Sequence, residues 1–233
     1  MVEGQQVKEA PSCLRIVSWN VNGVATTLKE VINRYGTVEH FFEKEIKADI
    51  VCIQEAKIQE EKLEKWLALV PGFDSYWAFS REKKGYSGVA TYVKEALLPL
   101  DACADCLGNS TGQSEEDIDR EGRVICTDHG SFMLVNVYVP NAGEKPLRPR
   151  IDFKMKFLRM LRNKCDEFVR KGKHVIIVGD LNISHKDGDV HRSFNLLEMY
   201  SSVLQSCGLH AVLLLLKLGL RSKMAGGATR KDS

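Results

Sequence analysis

Ile50-Val51-Cys52-Ile53-Gln54-Glu55-Ala56-Lys57 is an apolar run that turns polar at its far end. Its unbroken apolar stretch, bounded by Asp49 and Glu55, suits a strand buried on both faces. Upstream, residues 14–19 alternate and are rich in β-formers, which predicts another strand; it runs out into Ser18-Trp19-Asn20-Val21-Asn22-Gly23. Between the two, Leu28, Val31, Ile32, Tyr35, Val38, Phe41, Phe42 and Ile46 recur at helical spacing. They predict one amphipathic helix with Gly36 as its weak point.

Downstream, residues 58–69 read as a second helix, stopped by Pro71-Gly72. Strands are predicted over 75–80 and 88–93, joined through Gly85. Residues 101–121, with the acidic cluster Glu115, Glu116, Asp117, Asp119 and Glu121, read as an exposed loop. A hairpin over 123–127 and 132–139 turns at His129-Gly130. After a loop over 140–149, Phe153, Phe157, Leu158, Leu161 and Phe168 line one face of a long helix. Residues 174–178 form another buried strand, ending in Gly179-Asp180, and 193–205 read as helical. Residues 1–13 are polar and patternless, an N-terminal arm. Strands alternating with helices early, and hairpins in the middle, argue for a layered α/β architecture. No short-period repeat and no dividing linker is evident.

The 233 residues carry 33 Lys plus Arg against 31 Asp plus Glu, a net charge of +2, with 44% hydrophobic and 27% charged residues. These proportions exclude wholesale disorder and fibrous scaffolds. So small a net charge leaves no global footprint for nucleic acid, so such a partner must be held by a local basic patch. The run over 211–220 is half the ~20 residues a membrane span needs, and Lys217 breaks it. The first fifteen residues lack the apolar core of a secretory signal. Seven scattered cysteines, an odd number, then suggest free thiols in a reducing, intracellular setting.

Four apolar strands end in polar residues: Asn20 and Asn22; Gln54 and Glu55; Tyr138 through Asn141; and Asp180 with Asn182. Layered α/β sheets place ligand chemistry at such carboxyl ends. Two carboxylates, several carboxamides and a phenol suit a hard cation such as Mg²⁺, which takes oxygen ligands, waters and substrate phosphate. Glu55 would anchor the ion, while Asn20 and Asn182 orient oxygens without adding negative charge. Asp180 can accept a proton from water or hold that water in line, and Tyr138 can face a developing oxyanion. Taken singly, each is as well read as a solvated strand end, an ordinary turn or a core tyrosine. Their joint occurrence in this order points to a site.

Six stretches carry a family resemblance: Ser18 through Gly23, Gln54-Glu55-Ala56-Lys57, Gly85-Tyr86-Ser87-Gly88-Val89-Ala90-Thr91, Glu121-Gly122-Arg123, Asn136 through Gly143, and Gly179-Asp180-Leu181-Asn182. Over about residues 14–185 the chain resembles the exonuclease III family of apurinic/apyrimidinic (AP) endonucleases, within the endonuclease/exonuclease/phosphatase superfamily. The widened segment between Gly88 and Glu121, and Phe153-Lys154-Met155-Lys156-Phe157, favour the AP endonuclease 2 branch.

The resemblance implies an incomplete four-layer α/β sandwich, two packed mixed β-sheets flanked by helices, over residues 14–206, with 207–233 as a tail unlike the family. It implies Asn20, Glu55, Asp180 and Asn182 at the metal, with Mg²⁺ or Mn²⁺ as the ion. Tyr138, Asp180 and Asn182 would be catalytic, and Asn22, Tyr86, Arg123 and Asn141 would contact DNA or its phosphate. The implied reaction is hydrolysis of the phosphodiester 5′ to an abasic site in double-stranded DNA. A 3′–5′ exonuclease or 3′-phosphodiesterase activity at 3′ ends would accompany it. The implied setting is a monomer in the nucleus, with mitochondrion or cytoplasm as other compartments, and no membrane.

Departures from the family are equally informative. Relatives carry an Asp-Tyr and then a Ser-Asp-His segment beyond the Gly-Asp-x-Asn motif, and this sequence has no counterpart. Asp128-His129 sits at a predicted hairpin turn and does not replace it. The chain therefore reads as a C-terminally truncated or mis-spliced product with impaired activity. Asn22 stands where many relatives carry Asp. The 11 basic residues of 145–173 read as a solvated helix face, though the loop after Asn141 could meet DNA. Cys103-Ala104-Asp105-Cys106 lacks the second pair a zinc site needs, and His185 reads as a surface or capping residue. Rival readings are a phosphatase of the same superfamily and a catalytically dead DNA-binding remnant.

Overall fold

The computed structural model describes residues 13–108, 118–143, 147 and 149–183. The expected arm (Cys13 apart), Glu115 through Asp117, His185, the helix over 193–205 and the tail from 207 lie outside these residues.

Two four-stranded mixed sheets face each other. The first has β1 (Ile16–Asn20), β2 (Ile50–Gln54), β3 (Phe73–Ala78) and β4 (Val89–Lys94) in the order β1-β2-β4-β3. The second has β5 (Asp101–Ala104), β6 (Val124–Asp128), β7 (Phe132–Tyr138) and β8 (His174–Asp180) in the order β5-β6-β7-β8. Each contains one parallel pair, β1 with β2 and β7 with β8, so four strands run toward the same end of the sandwich.

Alternation of side chains across each strand sorts the residues into layers. Val51 and Ile53 of β2 face outward, joining Val17 and Trp19 under Val24, Leu28 and Val31 of helix α1 (Val24–Tyr35). Ile50 and Cys52 face inward and meet Leu134 and Val178 of the other sheet. Val135 and Val137 of β7 face outward again, onto Phe157, Leu161 and Phe168 of the long helix spanning Ile151–Arg170. Three apolar interfaces thus separate helix, sheet, sheet and helix, the four-layer α/β sandwich that the resemblance implies. Among the described residues no helix is long and apolar enough to cross a membrane.

The inter-sheet layer is apolar at one end and polar at the other. Between these lies a buried amide seam. Gln54 Nε2 donates to Asn136 Oδ1 at 2.8 Å, and Asn136 Nδ2 donates to Ala90 O at 2.9 Å and Thr91 Oγ1 at 3.1 Å. Asn136 is wholly buried, so these bonds tie one sheet to the other away from competing water.

The helices depart from the sequence expectation. The single helix expected through Ile46 is split. Gly36 takes a left-handed φ of 86° and ends α1, and α2 (Val38–His40), capped by Thr37 Oγ1, runs into a π-helical turn over Phe41–Glu45. That turn lets both Phe41 and Phe42 bury. Residues 58–69 give only a 3₁₀ turn, Glu60–Lys62, and the four-residue α3 (Lys65–Ala68). With α4 as the helix Ile151–Arg170, the long amphipathic pattern there holds along its length.

The expected exposed loop over 101–121 is corrected at its two described ends, with 109–117 lying outside the described residues. It contains edge strand β5 and a 3₁₀ turn, Ile118–Glu121, in which Asp119 and Glu121 are buried. Two arginines and two backbone amides hold those acids, which sequence composition alone does not disclose.

Candidate active site

The polar rim follows from the same alternation. Asn20 continues the inward face of Ser18, Tyr138 that of Asn136, and Asp180 that of Val178, while Glu55, one residue past inward-facing Gln54, is turned to the same edge by a left-handed φ of 54°. All four side chains therefore emerge at one edge, between the sheets.

Asn20 is the bridge. Its Nδ2 donates one hydrogen to Glu55 Oε1 at 2.7 Å and the other to Asp180 Oδ2 at 2.8 Å, joining carboxylates on different sheets. Its Oδ1 accepts from the Asn22 backbone N–H at 3.1 Å. Lys57 Nζ pairs with Glu55 Oε2 at 2.8 Å and also donates to Asn22 Oδ1. Burial works against ionisation of Glu55. The hydrogen bonds from Asn20, Lys57 and Tyr138, with the Lys57 charge, outweigh it and hold the carboxyl below its usual range. Tyr138 responds in the opposite sense: burial and the negative charge of Glu55 push its phenol up to about 12, against the pull of Arg123. It stands as a neutral donor beside a carboxylate.

The backbone at this edge is held in place. Glu55 and Asn182 adopt left-handed φ values of 54° and 49°, a conformation non-glycine residues tolerate only when neighbours enforce it. Around Glu55 the enforcing contacts are Gly23 N–H to Glu55 O at 2.8 Å and Ala56 N–H to Gly88 O at 2.9 Å. Around Asn182 they are its N–H to Asp180 Oδ1 at 2.8 Å, its Nδ2 to Val139 O at 2.7 Å, and Lys154 Nζ to its own carbonyl at 2.8 Å. Gly179 has no alternative, because a Cβ there would lie 1.9 Å from Val137 O.

Arg123 sits behind Tyr138 and is 1% exposed. Its guanidinium donates to Glu121 at 2.6 Å, to Tyr138 O at 2.9 Å and to the Tyr86 hydroxyl at 3.1 Å, and stacks 4.5 Å from the Tyr138 ring centroid. In this structure it faces protein, so it acts by fixing Tyr138 and Tyr86. Arg150 completes the frame, donating to Glu121 at 2.6 Å and to the Tyr86 hydroxyl at 2.9 Å. Asn141 Nδ2 reaches Asn182 Oδ1 at 3.5 Å and turns its own oxygen to Gly143 N–H at 2.8 Å.

The expected residues Asn20, Asn22, Glu55, Tyr138, Asn141, Asp180 and Asn182 gather at this edge, with Tyr86 and Arg123 adjoining. Sequence reading missed Lys57, Glu121, Arg150 and Lys154 as members of the frame. A signal existed for two: Lys57 stands in the Gln-Glu-Ala-Lys stretch, and Glu121 two residues before Arg123. Asp128-His129 lies at the other end of β7 from Tyr138, in the turn to β6, with Asp128 paired to Lys173 at 2.8 Å. Much of the basic helix surface is spent on neighbouring acids: Lys164 and Lys171 on Glu167, Arg162 on Asp166.

The donor set is oxygen-rich: two carboxylates held together by one carboxamide, with further carboxamides alongside. That chemistry fits a hard divalent cation bound through few protein ligands. Such a sandwich and rim define the Endonuclease/Exonuclease/phosphatase family, whose model matches residues 17–227, and the chain belongs to that family.

Among curated relatives, human DNA-(apurinic or apyrimidinic site) endonuclease 2 is 37% identical over 78% of this chain and 41% of its own length. The Schizosaccharomyces pombe protein of that name is 34% identical over 73% of this chain and 37% of its own. Among solved structures, the Xenopus laevis APE2 catalytic domain superposes with a TM-score of 0.59 at 35% identity, over 73% of this chain and 59% of that one. AP endonuclease LMAP from Leishmania major gives 0.60 at 26% identity, over 78% and 59%. The resemblance to AP endonuclease 2 is thereby borne out. The chain spans 37–41% of the length of these curated relatives.

Proposed function

We propose that this chain carries a divalent-metal-dependent DNA nuclease centre that hydrolyses the phosphodiester 5′ to an abasic site. By the same chemistry it would trim 3′ ends as an exonuclease or 3′-phosphodiesterase. The observation that carries this reading is the Asn20 amide spanning Glu55 and Asp180 across the sheets, with a neutral Tyr138 beside them.

Glu55, Asp180 and the carboxamide oxygens of Asn20 and Asn182 would hold Mg²⁺ or Mn²⁺. Bound there, the ion would polarise the phosphate and offset its charge. Asp180 would hold the attacking water and accept its proton. Asn182, fixed by Lys154 and Val139, would aim its amide at the phosphate. Tyr138 would present its phenol to the developing charge, steadied from behind by Arg123. Asn22, Tyr86 and Asn141 line the approach and would meet the DNA backbone. The substrate is double-stranded DNA with abasic sites or 3′ ends, met by a monomer in the nucleus.

The test is Mg²⁺-dependent cleavage of a duplex holding one abasic site, beside the same duplex intact. Glu55→Gln and Asp180→Asn should each remove the cleavage without unfolding the protein. Wild-type cleavage by either variant would refute the site.

A further inference from the structure

The Cys103-Ala104-Asp105-Cys106 stretch is not used by the nuclease centre, and the fold gives it partners that the sequence does not suggest. Cys103 on β5 pairs in register with Cys126 on β6, and the chain then turns so that Cys106 Sγ lies 3.2 Å from Cys126 Sγ. Cys165 of α4 is buried nearby in the same apolar layer. Cys126 is 2% exposed, Cys106 is partly exposed and Cys103 is exposed. All are free thiols, and among the described residues no group of three or more His, Cys, Asp or Glu is disposed to hold a metal ion. A tight thiol pair with one member open to solvent and no metal geometry around it is suited to oxidation.

We propose that Cys106 and Cys126 form a reversible redox pair that a hydroperoxide converts to a disulfide. The roles are unequal. The hydrogen bond between Cys106 and Cys126, with further help from Cys103 and Lys164 and against burial and Asp119, draws the Cys106 thiol below its usual range. Cys126 is driven well above it, first by its bond to Cys106 and then by burial. Cys106, the member open to solvent, is therefore the nucleophile, and the buried Cys126 the resolving thiol.

In the first step the Cys106 thiolate attacks a peroxide oxygen. The O–O bond breaks, the departing oxygen takes up a proton, and Cys106 becomes a sulfenic acid. In the second step the Cys126 sulfur attacks the Cys106 sulfur, the S–O bond breaks, and hydroxide leaves as water with the Cys126 proton. Two thiols are oxidised by two electrons and one hydroperoxide is reduced. To bond, the sulfurs must close from 3.2 Å to ~2.0 Å, within reach of side-chain rotation. Cys103 also hydrogen-bonds Cys106 and is the competing partner, its thiol donating as well to Ala104 O at 3.6 Å.

The bridge would bind the segment after β5 to β6. Asp119 already caps that segment, accepting from the N–H groups of Leu107 and Gly108. The proposal rests on the thiol geometry and is independent of the nuclease reading.

The test treats the reduced full chain with a small excess of hydrogen peroxide, blocks remaining thiols with N-ethylmaleimide and maps peptides by mass spectrometry. A Cys106–Cys126 cross-linked peptide, cleaved again by dithiothreitol, should dominate. Cys106 should be consumed about tenfold faster than exposed Cys13. In Cys126→Ala, dimedone should trap the sulfenic acid at Cys106. Should that variant fail to fold, the wild-type map alone decides. A Cys103–Cys106 bridge as the main product, or Cys106 left alkylatable at doses that oxidise Cys13 and Cys103, would overturn the assignment.

Discussion

Asn136→Ala removes the centre of the amide seam between the sheets. The side chain is wholly buried and takes part in four hydrogen bonds: three donated, to Ala90 O at 2.9 Å, Thr91 Oγ1 at 3.1 Å and Ile53 O at 3.3 Å, and one accepted from Gln54 at 2.8 Å. Gln54 keeps Ser18 and Cys52 O as partners, so it is not stranded. At about 0.5–1.5 kcal/mol per bond, with the longest counted low, the loss comes to roughly 3–4 kcal/mol. That is about a fifth to four fifths of an ordinary domain's stability of about 5–15 kcal/mol. It corresponds to a fall in Tm of roughly 10 °C for a chain of this size. Urea unfolding followed by the fluorescence of Trp19 and Trp77, on β1 and β3, should show a lower midpoint at unchanged slope. Asn33→Ala, on the exposed face of α1, should stay within about 0.5 kcal/mol. A loss below about 1 kcal/mol at position 136 would refute the seam as the tie between the sheets.

Glu121→Gln should destabilise by about 3 kcal/mol in chemical denaturation, since it leaves Arg123 buried without its counter-charge. Gly179→Ala should fail to give soluble folded protein, because its Cβ meets Val137 O at 1.9 Å; normal expression and a native circular dichroism spectrum would contradict this. Tyr138 has a folded-state pKa above its unfolded value of 10.0, so its contribution is complete below pH 10.0 and is lost as pH rises toward about 12. Stability over that window should fall less steeply in Tyr138→Phe, as read by unfolding at graded alkaline pH.

The strands and their polar tips were legible because the patterns behind them are local. An apolar run such as Ile50–Gln54 fixes a buried strand, and the first polar residue past it marks where the chain leaves the core. What pairs with what was not legible. Nothing in residues 101–104 shows that they become an edge strand, since β5 gains its place only by pairing with β6, about twenty residues on. Glu121 looked like one of a solvated acidic group because composition does not record that Arg123 and Arg150 converge on it. The helix expected over 58–69 failed for a related reason. Its spacing was helical, but Leu67 alone of α3 is buried, too little to hold a longer helix. At the site, the residue types at the rim could be read from the sequence, whereas the inward direction of Arg123 needed the layers.

Asn20 and Asp180 touch across 160 positions of sequence. A chain emerging from the ribosome can complete its first sheet, Glu55 included, long before β8 exists. Until that strand docks, the rim has Glu55 and Tyr138 but lacks Asp180 and Asn182, so the proposed centre is incomplete in the growing polypeptide. Contacts of such long separation also form late and slowly. If the proposed activity holds, its onset during refolding would report the closing event itself.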